Sequence, residues 1–256
     1  VAFYAGAHGC APTSAEKLPQ IIERYMAGEK PVNNFCKFLD TDFRVYELDT
    51  DSPTDDWREG DPAMDEDDAG TACAYGLMAV EQGTDIIYAS TIGRGASIAS
   101  QAILQALGYT IPEDKILDPD LIKAADIFME DNSDSADSLD ILTHFGGYDI
   151  SALFGVILAA RLAGVPVLID GWSGLAATAI MESISGDQGI GHIIHIGDAD
   201  LLIKGMTVVE NSALSPLFPA NLRSVYFLLT AKMILATADP ATQSPKVVRL
   251  KQPSDN

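Results

Sequence analysis

Cysteine is scarce in this sequence. The 256 residues include three cysteines, Cys10, Cys36 and Cys73. Their number is odd and no two have the short spacing of a metal site, so neither a disulfide framework nor a cysteine metal site is expected. Reduced thiols are typical of a cytoplasmic protein, and the cytoplasm is therefore the predicted location.

Basic side chains are also few. The sequence has 16 lysines and arginines against 37 aspartates and glutamates, a formal charge of −21 at pH 7. Such a chain repels a phosphate backbone, which argues against nucleic acid as a partner. The acidic residues concentrate at 49–68 and 113–140, as in solvated loops and helix faces. Asp131, Asp134 and Asp137 lack the pattern of a calcium loop, so no metal site is predicted.

Long apolar runs are missing as well. No stretch reaches the roughly 18 apolar residues that a membrane-spanning helix needs, so no membrane association is expected. The first residues lack the basic leader and apolar segment of a signal peptide. The sequence begins without Met, directly in a strand-like run from Val1, which is typical of a chain whose N-terminal segment is missing.

The stretch 142–177 carries the clearest pattern. After Gly146 and Gly147, apolar residues recur at spacings of three and four, which predicts a helix. Residues 165–169 then form a continuously apolar, β-branched run, as in a parallel strand covered on both faces. At Asp170 the chain turns into another helix. In such a unit, ligands bind where the carboxyl end of the strand meets the amino end of the next helix.

The other elements alternate between strand and helix. Strands are predicted at 1–6, 44–48, 85–89 and 189–197, and helices at 14–27, 31–39, 63–82, 120–129 and 221–236, with a further helix from the turn 90–97 to Gly108. Residues 198–203 are predicted as a short helix or turn, 206–219 as irregular, and the tail from Pro240 as loose. This alternation predicts a single α/β domain of three layers, a mostly parallel, Rossmann-like sheet with helices on both faces.

The turn 90–97, Ser-Thr-Ile-Gly-Arg-Gly-Ala-Ser, is the best candidate for an anion site. Gly93, Arg94, Gly95 and Ser97 stand at a predicted helix amino end, where free N–H groups and the helix dipole favour phosphate. The turn matches neither the dinucleotide Gly-x-Gly-x-x-Gly pattern nor the Walker Lys-Ser/Thr pattern. Glycine and serine also occur in such turns for packing alone, so both interpretations stay open.

Blocks of the sequence, in order, resemble the nicotinate-nucleotide:dimethylbenzimidazole phosphoribosyltransferase family. Residues 1–11 resemble a family strand ending in Ala-Gly-Asp-His-Gly-Val-Ala, and residues 27–33 resemble Ala-Gly-Gly-Ala-Ala-Ile-Asn. The turn 90–97 takes the place of Glu-Met-Gly-Ile-Gly-Asn-Thr-Thr. Residues 145–158 and 165–177 are similar to the family's Gly-Gly-x-Glu-Ile helix and Pro-Val-Leu-x-Asp-Gly-Phe strand.

The resemblance implies an enzyme that moves the ribose phosphate of nicotinate mononucleotide to an aromatic base similar to dimethylbenzimidazole, for the lower ligand of cobalamin. It implies neither a cofactor nor a metal. The substrate phosphate would lie at the helix amino ends that follow Gly93, Arg94 and Gly95 and that follow Gly146 and Gly147. A two-fold homodimer is expected, as in the family.

Further substrate-binding candidates lie in the matched blocks. His8 matches a family position and is expected either to touch the base or to pack at the strand end. Asp170 either orients the ribose or caps the turn that follows it. Asp149 and Gly171 complete the set that the resemblance implies.

The sequence departs from the family at charged positions. Ala7 replaces the Asp before His-Gly, Ala89 replaces the loop Glu, and Arg94-Gly95 replaces Asn-Thr. Only the segment 209–213 aligns with the family signature Arg-Leu-Gly-Glu-Gly-Thr-Gly-Ala, whose Glu takes the proton from the attacking base. The resemblance therefore makes Glu210 the candidate general base.

Two other functions stay open at this point. The altered carboxylate loops are also consistent with a family member that binds a nucleotide or a base without turnover. A nicotinamide-dependent oxidoreductase fits less well, because the glycine fingerprint of that class is missing.

Overall fold

The computed structural model describes residues 1–11, 17–132, 135–197, 201, 203–210 and 228, and for Glu210 it describes the backbone. The strands in this part of the chain are β1 (Ala2–Gly6), β2 (Arg44–Leu48), β3 (Ile87–Ile92), β4 (Val167–Asp170), β5 (Ile193–Gly197) and β6 (Thr207–Glu210). The helices are α1 (Leu18–Met26), α2 (Pro31–Phe38), α3 (Glu66–Leu77), α4 (Ala96–Ala106), α5 (Pro119–Asn132), α6 (Ser138–Phe145), α7 (Tyr148–Ala163) and α8 (Gly171–Ser185). Short 3-10 helices stand at Trp57–Glu59, Glu113–Lys115 and Asp187–Gly189.

The strands form one parallel sheet in the order β2-β1-β3-β4-β5-β6. The chain begins at β1, moves outward to β2 and returns past β1 to β3, so the direction of winding reverses between β1 and β3. Open sheets of this kind bind ligands beyond the carboxyl ends of the strands at such a reversal. The ligand crevice is therefore expected beyond Gly6 and Ile92, where β1 and β3 end.

Helices cover both faces of the sheet. On the face under α1 and α2, Phe3 lies at the centre of a buried cluster and meets the rings of Tyr25 and Tyr88 edge to face at 5.7 Å. The opposite face, with Ile87 and Ile169 among its buried residues, packs under α4, α7 and α8. The predicted three-layer α/β fold is thus confirmed. No helix in the described ranges combines the length and the apolar character needed to cross a membrane.

Helices α3 and α7 approach each other very closely. A Cβ atom built on Gly76 would lie 1.9 Å from the carbonyl oxygen of Ala152, and one built on Gly155 would lie 2.1 Å from the carbonyl oxygen of Cys73. Only glycine at these two positions allows the backbones to touch. The contact anchors α7, whose first turn lies at the carboxyl edge of the sheet and whose residues are largely buried on all sides.

Strand boundaries differ from the predicted ones, and β5 is Ile193–Gly197 rather than 189–197 because a 3-10 helix and a turn precede it. The third strand is Ile87–Ile92 rather than 85–89, because its pairing with β1 continues until Ile92 lies opposite Ala5. Ser90 and Thr91 therefore belong to the strand and not to the turn. The segment predicted as irregular contains the strand β6, whose regular pairing with β5 outweighs its short and weakly patterned sequence.

Helix boundaries differ as well. The helix predicted at 63–82 is shorter, since Asp65 caps α3 by accepting the N–H of Asp68 at 2.7 Å. Helix α6 is not predicted from the sequence and starts where Asp137 accepts two backbone N–H groups. Several predicted segments lie outside the described residues. They are residues 12–16, which include the start of the first predicted helix, most of 198–203, the helix predicted at 221–236 apart from Leu228, and the tail from Pro240.

Candidate functional site

Three of the predicted segments meet at the carboxyl edge of the sheet. His8 follows β1, the turn 93–95 joins β3 to α4, and Asp170 ends β4 just before α8. Because β1, β3 and β4 are adjacent parallel strands, their carboxyl ends share one edge. The topology therefore brings together residues that are far apart in the sequence.

The amino end of α4 has no side-chain cap among the described residues. Gly95 occupies the cap position with φ 92°, in the left-handed region that favours glycine. Arg94 and Ser97 are exposed beside it, and Arg94 forms no ion pair with any described residue. The N–H groups of the first turn, the helix dipole and the exposed guanidinium of Arg94 all favour an anion here.

His8 and Asp149 form a buried pair beneath that turn. His8 Nε2 lies 2.8 Å from Asp149 Oδ1, and neither side chain is exposed to solvent. Asp149 Oδ1 also accepts the N–H of Ile150 at 2.9 Å. Within the described structure, His8 Nδ1 and Asp149 Oδ2 have no hydrogen-bond partner. Full burial means that neither side chain reaches a ligand at the surface of the crevice in this conformation.

Glycines enclose the pair. A Cβ atom on Gly147 would lie 2.4 Å from His8 Cε1, and one on Gly95 would lie 2.7 Å from His8 Cβ. A Cβ atom on Gly93 would lie 2.4 Å from the carbonyl oxygen of Gly6 and 3.2 Å from Asp149 Oδ2. Three glycines that the sequence suggested for phosphate binding therefore also have a packing reason to be glycine.

Helix α7 has no open amino end. Gly146 and Gly147 are buried, and the His8 ring lies against Gly147. The carboxylate of Asp149 sits in the first turn of α7, where a negative charge already complements the helix dipole. The structure thus brings Gly146 and Gly147 to the predicted edge, but it leaves no room for a phosphate beside them.

Asp170 accepts hydrogen bonds from two hydroxyl groups. The Tyr88 hydroxyl donates to Oδ2 and the Ser90 hydroxyl to Oδ1, both at 2.8 Å. The side chain does not cap α8, so the capping alternative for Asp170 is wrong. The reason is the longer β3, which places Tyr88 and Ser90 on the same face of the strand, next to the carboxylate of β4.

A second set of hydroxyls links β3 and α4 to the first turn of α8. Ser173, in α8, accepts from Thr91 at 3.0 Å and from Ser100 of α4 at 3.3 Å. Gly171 begins α8 with φ 63° and is exposed, while its carbonyl lies 3.4 Å from His195 Nε2. The amino ends of α4 and α8 therefore lie side by side, joined through hydroxyl groups.

Glu210 lies at the same edge but farther along it. It is the last residue of β6 and its backbone pairs with Gly197 of β5. Strands are about 4.8 Å apart, so the end of β6 is roughly 10 Å from the end of β4 and 14 Å from the end of β3. This position is within reach of a nucleotide that spans the edge, and the role of Glu210 as a base stays a prediction.

Sequence reasoning missed the hydroxyl residues around Asp170 and Ser173. Tyr88 and Ser100 are not among its candidates, and Ser90 and Thr91 are assigned to the anion-binding turn 90–97, because the local pattern predicts a strand that ends at residue 89. With the strand extended through Ile92, its alternation places Tyr88 and Ser90 on one face and Thr91 on the other. No group of three or more His, Cys, Asp or Glu side chains in the described ranges is arranged to hold a metal.

An open parallel sheet whose winding reverses beside β3, with the amino ends of α4 and α8, an arginine and several hydroxyls at that edge, defines an α/β protein of the nucleotide-binding class. Comparison with known families narrows this class. A family model described as Phosphoribosyltransferase matches residues 1–189. The chain belongs to this phosphoribosyltransferase family, and the resemblance seen in its motifs is confirmed.

Individual relatives agree with this assignment. The nicotinate-nucleotide–dimethylbenzimidazole phosphoribosyltransferase of Agrobacterium fabrum is 31% identical over 243 residues, which cover 83% of this chain and 70% of the relative. That of Sinorhizobium medicae is 30% identical over 238 residues, covering 87% and 70%. The crystal structure of the Thermus thermophilus enzyme of this name has a TM-score of 0.74 at 17% identity, covers 92% of this chain and 82% of that one, and supports the fold.

Proposed function

We propose that this protein transfers the ribose phosphate of nicotinate mononucleotide to an aromatic nitrogen base similar to dimethylbenzimidazole. The observation that carries the proposal is the amino end of α4, which has no cap from a described side chain and lies beside the amino end of α8, with Arg94 exposed next to it. The names of the relatives support the same substrates. A base of this kind would serve as the lower ligand of cobalamin.

The phosphate binds between the amino ends of α4 and α8. The amino end of α4 contributes Gly93, Arg94, Gly95 and Ser97. The amino end of α8 contributes Gly171. Two helix dipoles and a guanidinium supply the local positive potential that a chain of formal charge −21 otherwise lacks. The expected contribution of Gly146 and Gly147 is indirect, because the amino end of α7 is closed by His8 and Asp149.

Asp170 orients the ribose. Both of its oxygens accept hydrogen bonds from hydroxyl groups inside the protein, which hold the carboxylate in one orientation. Each carboxylate oxygen can accept more than one hydrogen bond, so a ribose hydroxyl can still donate to it. Asp170 is 8% exposed and lies at the carboxyl end of β4, at the edge of the crevice.

Glu210 acts as the general base. The ring nitrogen of the acceptor attacks the anomeric carbon, the bond from that carbon to the nicotinate nitrogen breaks, and nicotinate leaves with the electron pair. The ring becomes cationic as the new bond forms, which makes the N–H of its other nitrogen acidic, and Glu210 accepts that proton. General base catalysis contributes about 10² to 10⁴ in rate. No cofactor takes part.

The test is an assay of nicotinate release from nicotinate mononucleotide with dimethylbenzimidazole as acceptor. Glu210→Gln preserves shape and removes the base, so it should lower the rate about 10²-fold or more with little change in nucleotide affinity. Glu23→Gln, an exposed change on α1, is the matched control. Fast release by the Glu210→Gln protein would show that the base lies elsewhere.

Arg94→Ala tests the phosphate site separately. Hydrogen bonds to charged groups contribute about 1.5 to 3 kcal/mol, so calorimetry should show nicotinate mononucleotide binding weaker by about that amount. Arg161→Ala removes the same charge from the exposed far end of α7 and should leave the affinity unchanged. Equal affinity for the wild type and the Arg94→Ala protein would contradict the site.

A second candidate function is binding of the nucleotide or the base without turnover. The observation that favours it is Ala89, which is fully buried in β3 at the position where the family has a glutamate, so that this position supplies no carboxylate to the crevice. Binding of nicotinate mononucleotide without release of nicotinate, with any of several aromatic acceptors, would favour this function over transfer.

We also propose a two-fold homodimer and a cytoplasmic location. The second half of α3 and the residue after it carry the exposed apolar side chains of Tyr75, Leu77 and Met78, and no charged residue lies between 69 and 80. Exposed apolar patches of this kind are typical of protein interfaces. Light scattering that gives a monomer mass at micromolar concentration would contradict the dimer. Free Cys10, Cys36 and Cys73 are consistent with a reducing compartment.

A further inference from the structure

We propose that His8 and Asp149 are a positioning pair that sets the turn 93–95, and through it the amino end of α4, in the geometry that receives the phosphate. The inference deepens the proposed function and rests on it for the identity of the ligand. It assigns the two buried residues an indirect part in substrate binding.

The pair joins two distant parts of the edge. The hydrogen bond of 2.8 Å connects the residue after β1 with the first turn of α7, across 141 residues of sequence. Since an ionised carboxylate only accepts, the Nε2–H of His8 donates to Asp149. Nothing in the pair faces solvent.

Packing alone does not explain a polar pair at this place. His8 Nδ1 and Asp149 Oδ2 are buried and have no partner among the described residues. Leaving such atoms unpaired costs free energy, and apolar residues of similar volume often stabilise a protein at least as well as a buried ionic pair. A polar pair held at that cost is best explained by the fixed orientation that its hydrogen bond gives to the segments around it.

The segments that the pair orients are those of the proposed phosphate site. Gly95, the cap of α4, packs so closely on His8 that an added Cβ atom would lie 2.7 Å from His8 Cβ. Gly93 packs on Asp149, where an added Cβ atom would lie 3.2 Å from Oδ2. The turn thus rests on His8 at one end and on Asp149 at the other. A change in the orientation of either side chain is passed directly to the N–H groups at the start of α4.

The variants separate orientation from packing. His8→Leu and Asp149→Leu each remove one partner, and the double variant removes the hydrogen bond without leaving one polar partner unpaired. His8→Gln keeps a donor near the position of Nε2, and Asp149→Asn keeps an acceptor. Leu121→Ala, at a fully buried position in α5, lowers stability without touching the pair.

Two measurements are made on each folded variant. The first is the dissociation constant of nicotinate mononucleotide by calorimetry, with the KM and kcat of nicotinate release where there is turnover. The second is hydrogen exchange at the amide of Ala99, which donates to the Gly95 carbonyl in the first turn of α4. Misplacement of binding groups by about 1 Å can cost up to roughly 10²-fold, so the leucine variants should bind about tenfold to a hundredfold more weakly.

The expected pattern is weak binding and faster exchange at Ala99 in all three leucine variants, with values near the wild type in His8→Gln, Asp149→Asn and Leu121→Ala. A double leucine variant with the affinity and the Ala99 exchange of the wild type would overturn the inference. If the wild type does not bind nicotinate mononucleotide at all, the proposed function fails, and the exchange at Ala99 still decides whether the pair positions the turn.

Discussion

Replacing Gly95 by alanine probes how tightly the turn before α4 is held. Gly95 has φ 92°, and an added Cβ atom would lie 2.7 Å from His8 Cβ and 3.0 Å from Ala11 Cβ. Gly108, just beyond the other end of α4, has a similar φ of 85° with nothing within 4 Å of an added Cβ. The two glycines flank one helix, so Gly108→Ala is the matched control for Gly95→Ala.

The magnitudes follow from the two environments. An alanine in the left-handed region costs about 1 to 2 kcal/mol, which is the whole effect expected for Gly108→Ala. Gly95→Ala bears the same backbone cost and in addition forces an extra methyl group into a filled space, which costs about 1 to 3 kcal/mol. The free energy of unfolding should therefore fall by roughly 2 to 5 kcal/mol in Gly95→Ala.

Urea unfolding followed by circular dichroism measures both variants under the same conditions. The loss in free energy of unfolding is compared between the two variants, because the cost of the left-handed backbone is the same in both and cancels in the difference. Equal losses of stability would mean that the turn moves away from His8 at no cost, and the tight enclosure of the His8 and Asp149 pair would then be refuted. Binding of nicotinate mononucleotide should also weaken more in Gly95→Ala than in Gly108→Ala.

Three further outcomes are expected. Asp170→Asn replaces two hydrogen bonds to a charged group by neutral ones and should lower the free energy of unfolding by about 1 to 3 kcal/mol in urea titrations, more than Tyr88→Phe, which removes one bond. Burial lowers the pKa of His144 and of His192 below the ordinary 6.5. The unfolded chain therefore takes up protons at these side chains first, and the free energy of unfolding should fall as the pH drops below about 6.5. His144→Gln should make this fall less steep in urea titrations between pH 7 and 5, and an unchanged slope would contradict the lowered pKa of His144. Burial raises the pKa of the Cys10 thiol to about 11, so a thiol reagent at pH 8 should modify Cys10 only after denaturant is added. Rapid labelling of Cys10 itself in the native protein, located by peptide mapping, would contradict its burial.

Much of the fold was predictable from local patterns. Strand and helix alternation gave the α/β layers, and the apolar run at 165–169 together with Asp170 gave β4 and the turn into α8. Errors arose where pairing rather than local sequence decides the structure. Strand β6 is held by β5, and β3 extends through polar Ser90 and Thr91 because β1 lies beside it.

The candidate site was predictable only as a set of segments. The order of the motifs placed His8, the turn 93–95 and Asp170 at one edge, because carboxyl ends of neighbouring parallel strands meet there. Which side chains touch could not be deduced in the same way. The hydrogen bond between His8 and Asp149 spans 141 residues, and no local pattern encodes a contact at that separation.

The glycines of this edge show why a motif alone does not identify a phosphate site. Gly95 and Gly147 both precede helices, and from sequence both amino ends are equivalent candidates for an anion. In the folded chain the end of α7 is filled by a histidine and neutralised by its own aspartate, whereas the end of α4 has no cap from a described side chain and has the exposed Arg94 beside it. A helix amino end binds a phosphate only if it is both unoccupied and uncompensated, and these are properties of the tertiary structure. The same glycine pattern therefore serves packing at α7, and we propose that it serves both packing and phosphate binding at α4.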